Sequence, residues 1–425
     1  MIRVLANSWA LLLGMAFLMM GNGLQSTLMG VRGSIEGFTT FELSVVTSAY
    51  FAGFLGGSRA APAMIRRVGH VRVFAALASF ISAALILFPT FSDPWFWTAL
   101  RVVIGFGFSG VYVTAESWLN NAATNETRGQ TLSAYMIVQM FGIVSGQAIL
   151  ATGDPTGFIL FIVPSVLVSI SFAPILLSIS PTPAFDTTKR MSLVELFHNS
   201  PLTFVGMVLL GGIFAALFGM APVYATDIGL SVAQVSSFVA AIFIGSMLFQ
   251  YPIGWLSDRM DRRHLIFAVA VLGAVASILG YLSSGSYTYL MVSALVVGGA
   301  ANPLYSLLIA YLNDHLEVED MAAASGGLLF INGLGAIGGP LATGWLMGQV
   351  GPQGFWLFIA VLMLSMASYA AYRMTQRPAT PVDETAAYVG VMPTASPVAV
   401  EAAQEWAQEW ALEQAEDVEN FVEPS

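Results

Sequence analysis

The sequence predicts an all-α polytopic membrane protein, with twelve transmembrane helices in two pseudo-symmetric six-helix halves. Three observations predict it. Of 425 residues, 56% are apolar and only 9% are charged, whereas a soluble domain carries about a quarter charged residues; a surface facing lipid accounts for the shortfall. Apolar runs of about 20 residues, the length that crosses a bilayer, recur from end to end. The sequence also repeats itself at an offset of 192–193 residues, which places Gly14 on Gly206, Arg67 on Arg259, Gly105 on Gly298, Gly142 on Gly335 and Gly146 on Gly339. Parallel repeats of this kind imply a cavity between them near mid-membrane.

In order, the spans start near Ser8, Leu43, Val71, Trp95, Gln130, Gly157, Leu202, Val232, His264, Tyr289, Met321 and Gly354. Arg3 precedes the first, and no small-residue cleavage site follows it, so it reads as a retained helix and not a signal peptide. Connections are short except for a polar stretch containing "PTPAFDTTKR" and then "SLVELFHN", a candidate short interfacial helix. It divides an N-terminal half (residues 1–180) from a C-terminal half (201–377), with 181–200 as a cytoplasmic linker. Thirteen of the fifteen basic residues fall on one side of this plan; Arg32 and Arg101 are the exceptions. Positive residues mark the cytoplasmic face, so both termini are expected in the cytoplasm, with the protein in a bacterial inner membrane.

The net charge of −10 belongs to residues 378–425, which hold ten acidic and no basic residues; the rest is neutral. This acidic tail is expected to be disordered and solvated, or else to dock a partner through a weak helix carrying Trp406 and Trp410. There is no cysteine, which excludes disulfides and thiolate metal sites. All four histidines lie in or beside connections, and no nucleotide-binding loop or catalytic constellation is present. Neither an enzyme nor a cofactor-dependent protein is expected. The expected partners are lipid, a small-molecule substrate and protons, without nucleic acid, for a monomer.

The connection "GWLSDRMDRR" (254–263) resembles the loop motif of the major facilitator superfamily, with Asp261 where the motif has a second glycine. Its first-half counterpart, "PAMIRRVGHVR" (62–72), has Arg66 in the aspartate position. "RVVIGFG" (101–107) is similar to the superfamily's arginine–glycine element of the fourth helix. A finer likeness to a YcaD-like branch rests on "SAYFAGFLGG", "TRGQTLSAYMIVQMFGIVSGQ", "FGMAPVYA" and "QYPIGWLSDR". The resemblance implies the major facilitator fold and secondary active transport by alternating access. It further implies that Asp258, with Arg259 and Arg262 beside it, latches the eighth span's loop to the N-terminus of the fifth, where the macrodipole favours a carboxylate. In the first half a swapped latch is expected, Arg66 meeting Glu319 or Asp320.

Two charges stand inside the fourth span. Arg101 and Glu116 lie roughly 22 Å apart along one helix, too far to pair. The resemblance implies an Arg101 packed against the first helix, and a Glu116 that either pairs with Arg67 as a gate or titrates as a coupling carboxylate. The repeat maps Ser109 on Asn302, Tyr112 on Tyr305 and Gln139 on Asn332. With Asn22 and Gln25 these are the candidate substrate-binding residues, or else inter-helix hydrogen bonds. The antiporter pattern is incomplete, with Gln147 ending "GIVSGQ" where proline belongs, while "GAIGGP" (335–340) retains it. Two alternatives stay open. The pairs Met15/Met19 and Met136/Met140 suit Cu(I) import, and the acidic tail suits a transporter-shaped sensor or assembly protein.

Overall fold

The computed structural model describes residues 2–123, 125–177, 191–283, 285–316 and 318–376, and from the tail 381, 385, 388–396, 398–400 and 403. The N-terminal half comprises α1 (Ile2–Ile35), α2 (Thr40–Val68), α3 (His70–Leu87), α4 (Pro94–Ala122), α5 (Asn125–Thr152) and α6 (Ile159–Ser171). A short helix, Leu193–Asn199, precedes the C-terminal half. There α7 (Pro201–Ala215) passes through a π-helical turn, Ala216–Met220, into Ala221–Asp227. It is followed by α8 (Val232–Ser257), α9 (Arg262–Leu282), α10 (Tyr287–Asn313), α11 (Val318–Val350) and α12 (Gly354–Met374).

Among the described residues, eleven helices are long and apolar enough to cross a membrane. The exception is α2, the second predicted span. It has 29 residues, but Ser, Thr and Gly line its buried face and Arg59, Arg66 and Arg67 its last turns. This composition suits a helix packed between α4 and α11.

The sequence repeat is a repeat of local structure. Thr39 caps α2 in a box with Glu42, and Ser231 caps α8 in a box with Gln234, each satisfying first-turn N–H groups. Backbone crossings recur as well. A Cβ on Gly105 would stand 1.9 Å from the carbonyl oxygen of Tyr50, and one on Gly298 would stand 2.1 Å from that of Ile242. Hence α4 lies on α2, and α10 on α8, at a separation only glycine permits.

One rim of the molecule carries the basic loops; the far rim carries the connections between α1 and α2 and between α7 and α8. At the far rim the halves are sealed together. Thr40 Oγ1 donates to Asp227 Oδ2 at 3.2 Å, and Ser48 Oγ donates to the Ile337 carbonyl at 2.6 Å. Gly344 sits against Ser44, and Gly30 against Pro222.

The described tail residues correct the expectation of a solvated tail. Val391, Met392, Ala395, Ser396, Ala399 and Val400 are all buried. The expected Trp406 and Trp410 helix lies outside the described residues.

Gly105→Ala and Gly298→Ala are each expected to destabilise the protein by about 1–3 kcal/mol through overpacking. A lowered melting temperature in detergent would report it. Gly348→Ala, where a Cβ meets nothing within 4 Å, is the control and should leave it unchanged.

Candidate functional site

The centre of the N-terminal half holds a hydrogen-bonded polar chain. Asn22, Gln25 and Ser26 share one face of α1 by helical spacing. Asn22 Nδ2 donates to Tyr112 Oη at 3.1 Å, and Gln25 Nε2 donates to Asn22 Oδ1 at 3.2 Å. Arg101 reaches α1, where Nη1 donates to Gln25 Oε1 at 2.9 Å, and its guanidinium lies 4.6 Å from the centroid of the Tyr50 ring. Arg101 is only 4% exposed, so it does not extend to the headgroups; an acceptor and a π-face hold it instead. Tyr112 Oη also donates to Met19 Sδ at 3.4 Å. Met15 is fully buried in the apolar core of this half, so packing accounts for that methionine pair.

The C-terminal half has a matching chain. Asn302 Nδ2 donates to Gln250 Oε1 at 3.0 Å, and Gln250 Nε2 donates to Ser306 Oγ at 3.0 Å. Tyr305 is buried edge-on to Phe214, which stacks with Phe218 of the π-helical turn; Phe218 in turn stacks on Phe243. Ser109 is buried on α4 between the two charged residues. Asn332 is placed differently. Its Nδ2 donates to the Met207 carbonyl at 3.1 Å, so it ties α11 to α7.

Glu116 is 1% exposed. Its Oε1 accepts from Tyr135 Oη at 3.0 Å, and its Oε2 accepts from the backbone N–H of Ser396 at 2.7 Å. Gln139, one helical turn beyond Tyr135, is buried beside it. The expected pair with Arg67 is not formed, for Arg67 is exposed at the end of α2. Two neutral donors take its place.

At the basic rim, Asp258 Oδ1 accepts from the Tyr388 N–H at 2.9 Å, with Arg262 Nη2 at 3.8 Å; the side chains of 125, 126, 128 and 129, at the start of α5, lie outside the described residues. Burial pushes the Asp258 carboxyl above the usual range, against the opposing pull of the Tyr388 N–H and of Arg262 and Arg259. Arg262 is buried in an ion pair with Asp314 and bonds Ser257 Oγ at 3.1 Å. Arg259 turns back onto its own helix, donating to the Trp255 carbonyl and covering that ring. Asp261, the departure from the loop motif, caps α9 through the Arg263 N–H and pairs with the Arg263 guanidinium at 2.7 Å. Among the described residues no ion pair joins exposed Arg66 to Asp320, and the Glu319 side chain lies outside them.

Sequence reading missed Tyr135, Gln250, Ser306 and the tail segment. Gln250 was discoverable as a lone amide deep in an apolar span, and Ser306 as the next helical turn after Asn302. Gln25→Ala, which strips the acceptor from a buried guanidinium, is expected to cost about 1–3 kcal/mol. Ser109→Ala should be near neutral. Melting temperatures of the two variants in one detergent would check the contrast.

Comparison with known proteins places this architecture. The family profile described as Major Facilitator Superfamily matches residues 11–240 and 203–407. The chain is 29% identical over 389 residues to the uncharacterized MFS-type transporter YcaD of Escherichia coli strain 536, covering 89% of this chain and 97% of that one. YcaD of strain ED1a matches at the same identity and coverage. Among solved structures, the nucleoside transporter NupG is similar in fold, with a TM-score of 0.70, 17% identity, and coverage of 86% of this chain and 98% of that one. Its D323A mutant gives the same TM-score at 16% identity. Matched in both halves by one family of membrane transporters, the chain belongs to the Major Facilitator Superfamily.

Proposed function

We propose that the protein is a secondary active transporter that moves a small, polar, uncharged solute across the bacterial inner membrane by alternating access. The observation that carries this reading is a hydrogen-bonded polar chain in mid-helix in each half. Asn22 and Tyr112 stand in one half, Asn302 and Gln250 in the other. Amides and hydroxyls at that depth offer donors and acceptors without fixing a charge. The clustering of basic residues around the termini supports a cytoplasmic placement of that rim.

Proton coupling is assigned to Glu116. A buried carboxyl held by a phenol and a backbone N–H, on a helix that lines the centre, is the kind of group that relays protons in transporters. Arg101 acts as a positioning residue that couples α4 to α1 through Gln25. The Cu(I) reading is disfavoured, because the Met19 sulfur is engaged by Tyr112.

A thermal-shift panel of uncharged polar metabolites, nucleosides among them, would find the solute. Uptake of the best hit into proteoliposomes is then expected to rise with an imposed pH gradient. In Glu116→Gln the gradient dependence should disappear while exchange without a gradient persists. A Glu116→Gln protein that still follows the gradient would remove the coupling role from this residue.

A further inference from the structure

Residues 385–400 form an uncharged island in an otherwise acidic tail, with Asp383 and Glu384 before it and Glu401 after it. Its composition, with Gly390, Pro393 and Pro397 among small and apolar residues, disfavours a long helix but leaves it free of any charge to desolvate. Three of its backbone N–H groups are each taken by a side chain of the helical body. The Tyr388 N–H donates to Asp258 at 2.9 Å, the Val391 N–H to Ser306 Oγ at 2.9 Å, and the Ser396 N–H to Glu116 at 2.7 Å. Tyr388 lies across Gly254, where any Cβ would collide with its ring, and Gly390 lies against Gln250.

These anchors follow a path. Asp258 stands at the end of α8 on the basic rim, Ser306 about two turns inside α10, and Glu116 on α4 in the opposite half. The segment therefore enters from the basic rim, climbs the C-terminal half and crosses to the N-terminal half. Ser306 bonds Gln250, which bonds Asn302, so the segment ends its climb one helical turn short of the polar centre. With the far rim sealed, it fills the crevice on the remaining side.

We propose that this crevice is a peptide-backbone site whose resident occupant is the chain's own tail, residues 388–396 and 398–400, a built-in plug that leaves before solute reaches the centre from the basic rim. The site recognises an uncharged backbone with free N–H groups, through two carboxylates and a hydroxyl aimed at them. The blocking role rests on the transport reading; the occupancy does not.

The absence of native cysteine allows a direct test in the full-length protein in detergent, with no flux measured. A cysteine at Ala395 is expected to react with a maleimide at least about tenfold more slowly than one at exposed Thr375, as protected groups do. The double variant Val391→Pro and Ser396→Pro removes two of the anchoring N–H donors and leaves the twelve helices of the body unsubstituted. It should bring the Ala395→Cys rate up to that of Thr375→Cys. In the same background a cysteine at Ser109 should label about tenfold faster than with the native tail. Equal rates at Ala395 and Thr375 with the native tail would overturn the occupancy. A released tail with unchanged Ser109 labelling would overturn the plug. Neither result depends on whether the protein transports, so a failed uptake assay is distinguishable from both.

Discussion

A polar group at membrane depth has to find its partner inside the protein, because lipid offers none. That constraint organises this molecule. The Arg101 guanidinium is held by Gln25 and the Tyr50 ring, Glu116 by Tyr135 and a tail N–H, and the Arg262 guanidinium by Asp314, Ser257 and the Ala310 carbonyl. Each partner belongs to a different segment from the charge it serves. Satisfying the charges therefore fixes how segments pack, and α4 in particular becomes tied to α1 at one end and to α5 and the tail at the other.

Within each half, close packing sets the frame on which these polar groups hang. The crossings at Gly105 and Gly298 bring backbones together without side chains between them, and the capping boxes at Thr39 and Ser231 start α2 and α8 in the same way. The polar centre repeats only approximately. Tyr112 bonds Asn22, whereas Tyr305 packs against Phe214; Gln139 stays near Glu116, whereas Asn332 ties down α7. Packing has kept the symmetry of the repeat, and the chemistry at the centre has departed from it.

Much of this was legible in the sequence, because apolar length and glycine spacing are local signals. The helix order, the repeat and the buried placement of Arg101 and Glu116 could all be read from spacing and composition. The partners could not. Glu116 and Ser396 are 280 residues apart, and nothing in either neighbourhood marks the other. Arg67 was a reasonable partner by position, but its side chain stays exposed and the tail reaches Glu116 instead. The tail misled for a related reason. Averaged over its length it is acidic and polar, and the average hid an uncharged island that lies buried. Asp261 shows the opposite case, a motif departure that its own loop explains through Arg263.

The distribution of contacts also sets how the molecule deforms. Inside each half, backbone lies on backbone at glycine, and any relative sliding meets steep repulsion at once. Between the halves, the far rim is joined by hydrogen bonds such as those at Thr40 and Ser48, α2 packs on α11 and α5 on α8, and the tail segment bridges Asp258 and Glu116 on the basic side. The compliance of the structure is thus concentrated in one direction, hinging of two stiff bodies about the line between them.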